Sequence, residues 1–210
     1  LFDAVVLQTR FRDTRVLGMT DQLWGLLDGV SDRGLAASFT FGGLRCHGPG
    51  FAIPLVIRYI LETCGTVEEA VGVLERVPVQ NAYNVTVVDS RARHATVWVA
   101  PGEPARVTAA PATTNHQGVV EWREHARWTN TVERLEHLQG LLEHDPDDAI
   151  AGMLSPPLHN TRYDAGFGTL YTAVYRPGSG TVEYRWPRAK WRQSIEAFRE
   201  EPFEVALDTE

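Results

Sequence analysis

The sequence predicts an α+β fold, a four-layer αββα sandwich of two stacked, mainly antiparallel sheets with helices on the outside. The first observation behind this prediction is that extended blocks alternate with pairs of helices along the chain. The second is size, since 210 residues, of which 43% are hydrophobic, can bury one large core. No internal repeat, low-complexity tract or linker interrupts the order. We therefore expect a single domain over residues 1–210.

The first block is predicted to form three or four strands. Apolar runs at residues 5–7, 16–19, 23–27 and 34–41 are separated by Gly, Asp and Ser. The last run ends at Gly42-Gly43, where the absence of a Cβ lets a backbone approach a ligand or another segment closely. On sequence alone a glycine pair after a strand is more often an ordinary turn than a site.

Two helices are predicted next. In the first, Pro54 suits the opening turn, and apolar residues at helical spacing form one stripe, namely Ile53, Val56, Ile60 and Cys64. The second opens at Thr66, whose hydroxyl and the Glu69 carboxylate can cap each other's backbone donors. Its apolar face consists of Val67, Ala70, Val71 and Leu74.

A second extended block follows the helices. Residues 83–88 alternate between two faces, a turn is expected at Asp89-Ser90-Arg91, and the run His94–Val99 completes a hairpin. Shorter extended pieces are predicted at residues 105–107 and 111–114.

The last third is predicted to hold two helices and a hairpin. A helix over residues 130–143 has Asn130 and Glu133 as caps, and its inward face would carry Val132, Leu135, Leu138 and Leu142. Another opens at Asp145-Pro146 and covers residues 149–154. The closing hairpin pairs residues 169–175 with 181–186 across Pro177-Gly178-Ser179-Gly180.

Composition and motifs exclude several classes of function. A net charge of −7 and a pI near 5.5 disfavour nucleic-acid binding, and no apolar run is long enough to predict a membrane span. No zinc-ligand pattern, phosphate loop or GxSxG elbow is present, so we expect neither metal nor cofactor. Cys46 and Cys64 fit a loop thiol and a core thiol in a reducing compartment, which favours a cytoplasmic protein.

The tripeptide Thr114-Asn115-His116 is the first candidate for chemistry. It follows a short extended run and precedes a polar loop, so the Asn115 amide can project into a cleft and donate to a developing oxyanion. Thr114 and His116 beside it are then expected to contact substrate. The alternative is an ordinary turn asparagine.

Other candidates are weighed against structural roles. Thr40 and Phe41 end a strand at the glycine pair, and Phe41 and Trp24 suit an acyl pocket or simple core packing. Asn84 can orient a substrate or pair across the sheet. Arg134 can stabilise negative charge, or be solvated, or pair with a neighbouring glutamate.

Several motifs in the same order resemble those of the N-terminal-nucleophile linear amide hydrolases and acyltransferases, a group that includes acyl-CoA:6-aminopenicillanate acyltransferase, with choloylglycine hydrolases as more distant relatives. The resemblance covers nearly the whole chain. It is carried by residues 19–29, 34–43, 50–56, 61–64, 82–86, 114–116 and 170–175.

The resemblance implies the αββα sandwich, Asn115 as the oxyanion-hole asparagine, and a nucleophile beside Thr40 and Phe41. The family has an arginine in a Ser-x-x-Arg-like pattern, and the resemblance matches Arg134, within Thr131-Val132-Glu133-Arg134, to that arginine. It also implies a cysteine exposed by self-cleavage, whose α-amine acts as the base for thiolate attack on an amide. That cysteine is expected upstream of Leu1, so the domain is expected to be incomplete at its N terminus, with the segment absent, disordered or on another chain.

The expected function is therefore hydrolysis of linear amide C–N bonds through an acyl-enzyme. Acyl transfer from acyl-CoA to an amine is the near alternative. A binding module that has lost its nucleophile is an alternative of a different class. The expected partners are a small amide or acyl substrate and, for assembly, a second copy of the chain.

Overall fold

A computed structural model describes residues 4–21 and 23–207, so the predicted contributions of Leu1–Asp3 and Gln22 lie outside the described residues. Seven strands form one antiparallel sheet in chain order. They are β1 (Val6–Phe11), β2 (Thr14–Asp21), β3 (Gly25–Ser31), β4 (Leu35–Phe41), β5 (Tyr83–Asp89), β6 (His94–Val99) and β7 (Arg106–Thr108). The chain order of the strands makes β4 the central strand of this sheet.

Two helices, α1 (Ile53–Thr63) and α2 (Val67–Arg76), cover one face of the sheet. All four residues of the predicted α1 stripe are buried. At the start of α2 the Thr66 hydroxyl accepts from Glu69 N at 3.2 Å, as predicted. The Glu69 carboxylate accepts from Gly65 N at 2.7 Å. The predicted second hydrogen bond of the cap is therefore made by the N–H of Gly65 instead of that of Thr66.

The opposite face is partly covered by a second antiparallel sheet, ordered β10 (Thr172–Arg176), β11 (Thr181–Trp186) and β12 (Ala189–Ser194). Leu17 and Val30 of the first sheet pack against Val182 and Tyr184 of the second. The Gln8 side chain also donates to Ile195 O at 2.6 Å. The predicted class, two stacked antiparallel sheets with helices outside, is confirmed.

Three further helices, α3 (Arg123–Thr129), α4 (Thr131–Leu141) and α5 (Pro146–Gly152), lie beyond β7 in the chain, and a small pair, β8 (Thr161–Arg162) and β9 (Phe167–Gly168), follows them. The predicted inward face of α4 is wrong, since Val132 is 45% and Leu142 51% exposed. Helix α4 packs mainly on α3 and α5 and buries only Thr131 completely. Its apolar spacing therefore does not mark a contact with a sheet.

The strands differ from prediction at several places, and the pair β8 and β9 was not predicted. Leu23 lies in the left-handed region with φ of 65°, and β3 begins only at Gly25, where a Cβ would lie 2.3 Å from Pro54. Residues 111–114 form no strand, β10 starts at Thr172 rather than at residue 169, and β12 was not predicted. No helix within the described ranges has the length and hydropathy to cross a bilayer.

Candidate active site

The candidate residues meet at one end of the seven-stranded sheet. Thr40 on β4, Asn84 on β5 and Trp98 on β6 are directly opposite one another in register. Because side chains alternate along a strand, these three lie on the face that the second sheet partly covers, opposite to α1 and α2. The chain that follows β7 crosses this row and brings Thr114, Asn115 and His116 onto it.

Asn84 is fully buried and holds that crossing segment. Its Nδ2 donates to Thr114 O at 2.7 Å, to His116 O at 3.1 Å and to Thr40 Oγ1 at 3.1 Å. Thr40 Oγ1 in turn donates to Thr114 O at 3.0 Å. Of the two uses that the sequence left open for Asn84, these contacts favour the structural one.

Asn115 is half-buried, and its amide is oriented by Arg134. Arg134 Nη1 donates to Asn115 Oδ1 at 3.0 Å, while none of the described residues accepts a hydrogen bond from Asn115 Nδ2. Gly43, with φ of 72°, lies behind this residue, and a Cβ there would be 2.4 Å from Asn115 O. The arrangement leaves the two N–H groups of Asn115 available to an acceptor outside the chain.

Arg134 reaches Asn115 because the start of α4 is fixed to the same segment. Thr131 Oγ1 donates to Thr114 Oγ1 at 2.8 Å, and Thr114 Oγ1 donates to Thr131 O at 2.8 Å. His116 Nδ1 lies 2.9 Å from Thr131 Oγ1, so in this chain of hydroxyls it acts as the donor. Burial lowers the pKa of His116, and desolvation also lowers the pKa of Arg134.

An aromatic cluster borders the site on the helical side. The Phe41 ring makes edge contacts with Tyr83, Trp122 and His125, at centroid distances of 6.3, 6.4 and 5.1 Å. Trp24 precedes β3 at the same end of the sheet, but the residue is 76% exposed, and among the described residues its side chain makes no hydrogen bond or ring contact with residues 114–116. The structure thus groups Thr40, Phe41 and Asn84 with residues 114–116, and leaves Trp24 apart.

Two positioning contacts were not foreseen from the sequence. Gln117 Nε2 donates to Tyr83 O at 3.0 Å and to Val99 O at 3.3 Å, which ties the segment to β5 and β6. Thr131 provides the second contact, described above. Gln117 lies only two residues after Asn115, and this closeness in the chain could have indicated its role, whereas Thr131 carries no such signal.

The face of β4 that carries Thr40 is left partly uncovered. Ser38 is exposed although β4 is the central strand, and its cross-strand partner Thr86 is half-buried. Tyr175 of β10 donates to Asp28, the neighbour of Ser38 on β3, so β10 borders this area. Within the described residues β10 pairs only with β11, which leaves its other edge free. We call Ser38, Thr40 and Thr86 the uncovered strip.

Comparison with known proteins supplies independent observations. The family model described as acyl-coenzyme A:6-aminopenicillanic acid acyl-transferase matches residues 8–191. A solved N-acylethanolamine-hydrolyzing acid amidase ortholog from Caenorhabditis elegans matches with a TM-score of 0.58 and 16% identity, over 90% of this chain and 86% of that one. Among curated protein sequences, no relative matches this chain.

Two bacterial structures match similarly. Penicillin V acylase from Agrobacterium tumefaciens has a TM-score of 0.58 and 16% identity, over 87% of this chain and 70% of that one. A variant of conjugated bile acid hydrolase from Clostridium perfringens has a TM-score of 0.62 and 11% identity, over 88% and 78%. At these identities the matches show the fold alone.

Proposed function

The chain belongs to the acyl-coenzyme A:6-aminopenicillanic acid acyl-transferase family, and from that premise we propose that it hydrolyses linear amide C–N bonds through an acyl-enzyme. The observation that carries the proposal is the orientation of Asn115. Arg134 occupies the amide oxygen, so the N–H groups are presented to an acceptor. A donor held in place before reaction is what stabilisation of an oxyanion requires.

The nucleophile is proposed to be a cysteine at a freed N terminus, on a segment outside the described residues. The uncovered strip and the free edge of β10 support this placement, because an added strand there would end beside Thr40 and Asn115. Neither cysteine of the chain fits the role as well. Cys64 is buried at the end of α1, where desolvation raises its pKa, and Cys46 Sγ makes no hydrogen bond to the adjacent His47.

The proposed reaction has two steps. The α-amine takes the thiol proton, sulfur attacks the carbonyl carbon, and Asn115 Nδ2 donates to the resulting oxyanion. The C–N bond then breaks as the ammonium proton passes to nitrogen, which releases the amine and leaves a thioester. Water, deprotonated by the same α-amine, attacks the thioester, releases the acid and restores the thiol.

Acyl transfer is the second candidate, because the family takes its name from an acyl-transferase. In that case an amine, rather than water, attacks the thioester that an acyl-CoA has formed. Full-length protein given N-acyl amino acids, and separately acyl-CoA with an amine, distinguishes the two by the product formed. Saturable binding with no turnover in either arm would instead favour the binding module.

The first prediction tests the oxyanion assignment. Asn115→Ala is expected to lower kcat by about 10²–10³, since one oxyanion donor is lost, while the fold is retained. Asn160→Ala is the matched control, because Asn160 Oδ1 also accepts a hydrogen bond, from Arg162 N at 2.9 Å, outside the site. Unchanged turnover in Asn115→Ala would remove the assignment.

The nucleophile is tested separately by intact-mass spectrometry after labelling with iodoacetamide. We expect the label on an N-terminal cysteine of an upstream segment or a second chain, with loss of turnover. An active preparation whose mass equals residues 1–210 alone would overturn this placement and direct attention to Cys46.

A further inference from the structure

We propose that Asn84 is a positioning residue that sets the direction of the Asn115 amide by fixing the main chain around it. The inference rests on the proposed function, since it assigns Asn84 a task in the same reaction. It differs from substrate contact, because Asn84 is fully buried and its donors are directed at protein oxygens. We call the contacts of Asn84 with Thr114, His116 and Thr40 the Asn84 clamp.

The clamp holds two carbonyls, one on each side of Asn115. Thr114 O belongs to the peptide unit that precedes Asn115, and His116 O belongs to the unit that follows His116. With both carbonyls held by one amide group, the main chain of residues 114–116 cannot rotate without breaking a hydrogen bond. The Cα–Cβ direction of Asn115 is fixed as a result, and Arg134 then fixes the rotation of its amide.

The orientation of the Asn84 amide is determined by the same contacts. Its Nδ2 faces three oxygen atoms, whereas its buried Oδ1 has no hydrogen-bond partner among the described residues. Leaving a buried acceptor unpaired is unfavourable. The opposite orientation is worse, because it would place Oδ1 against two carbonyl oxygens, neither of which can donate.

If residue 84 only had to pair with the neighbouring strand, a hydroxyl side chain would be sufficient. In the adjacent row, two residues further along β5, Thr86 Oγ1 lies 3.2 Å from Oγ1 of its cross-strand partner Thr96, so two hydroxyls pair with each other there. A hydroxyl has a single donor and cannot hold both carbonyls, whereas the Asn84 amide has two N–H donors. The choice of Asn at residue 84 is thus explained by the segment that it holds.

The test is a double-mutant cycle on the full-length enzyme. Asn84→Asp has nearly the same shape but turns the donors into acceptors, so kcat is expected to fall about 10- to 10²-fold with KM little changed. In an Asn115→Ala background the same substitution is expected to cost less than about 3-fold, because its effect passes through Asn115. Equal losses in both backgrounds would overturn the proposal.

Gln193→Glu is the matched control. Gln193 is also a buried amide that holds main chain, with both of its contacts to Arg199 at 3.1 Å, but it lies in the second sheet. It is expected to lower the unfolding temperature without changing kcat. Asn84→Ser supplies a milder variant in case Asn84→Asp fails to fold.

Hydrogen exchange separates failure of the clamp from failure of the proposed function. In Asn84→Ser, the backbone amides of residues 114–118 are expected to exchange at least about 10-fold faster than in the wild type, which is measurable by mass spectrometry whether or not turnover is found. Unchanged exchange in this segment would overturn the clamp even in an active enzyme. Gln193→Glu is expected to leave the segment unchanged.

Discussion

At the scale of single residues, Arg134 shows how a charged side chain comes to lie in the candidate site. An arginine near the start of a helix usually remains solvated or pairs with a nearby glutamate. Here Asn130 bonds to Glu133 instead, and Arg134 is half-buried against Asn115 and Thr129 O. The guanidinium keeps its charge despite desolvation, so it also contributes positive potential next to the proposed oxyanion.

Replacing this guanidinium separates its orienting effect from its charge. Arg134→Gln is expected to lower kcat about 10- to 10²-fold, because Asn115 would lose its fixed direction. Arg134→Lys retains the charge but not the planar fork, so an intermediate loss is expected. Steady-state kinetics of the two variants provide the measurement, with Arg127→Gln, an exposed arginine on α3, as control. If neither variant changes kcat, the orienting role is wrong.

The sequence allowed Asn115 to be predicted as a candidate, but not the contacts that orient it. A polar residue after an extended run is a local pattern, and local patterns can be recognised in a single chain. The partners Arg134, Thr131 and Asn84 are 16 to 31 residues away in the chain, and only the register of β5 and the position of α4 bring them together. Those positions are properties of tertiary packing, which propensity does not encode.

At the scale of elements, Asp28 joins β3 to the second sheet. Its carboxylate accepts from Tyr171 OH at 2.6 Å and from Tyr175 OH. Desolvation raises the pKa of Asp28, although the two tyrosine hydrogen bonds act in the opposite direction. The folded protein therefore holds a proton at this carboxyl at pH values where the unfolded chain, with a pKa near 3.8, has lost it.

The sign of the pH dependence follows from that difference. As pH rises above about 3.8, the unfolded state binds fewer protons than the folded state, so this group's contribution to the free energy of unfolding decreases until the folded carboxyl also ionises. Urea denaturation from pH 4 to 8 is expected to show the wild type losing stability relative to Asp28→Asn with rising pH. Asp13→Asn, at an exposed residue, is the control. Parallel curves for the wild type and Asp28→Asn would contradict the prediction.

Helices were predicted correctly where local signals and burial agree. Both α1 and α2 have an apolar stripe that packs on the sheet, and each has a clear start signal. In α1 this signal is the first-turn proline, and in α2 it is the Thr66 cap. In α4 the same kind of spacing gave a wrong prediction of the buried face, because Val132 and Leu142 face outward. Helix α3 was missed altogether, since its seven residues are too few to show a period.

At the scale of the whole molecule, the two sheets differ in extent. Seven strands oppose three, and the second sheet packs over β2 and β3, so the inner face of the sandwich is exposed beside β10. In a complete sandwich both faces of a central strand are covered. The exposed Ser38 on β4 is therefore the observation that most directly supports an added segment over the uncovered strip.

A substitution at Ser38 tests whether that segment exists. Ser38→Trp puts a large side chain where the added strand is proposed to lie, so in the full-length protein it is expected to cost about 1–3 kcal/mol of stability, by overpacking, and to abolish most turnover. Ser38→Ala is expected to leave both unchanged. Glu75→Trp, on the exposed side of α2, controls for the tryptophan itself. Thermal unfolding and kcat are the measurements, and a fully active, fully stable Ser38→Trp enzyme would show that nothing covers the strip.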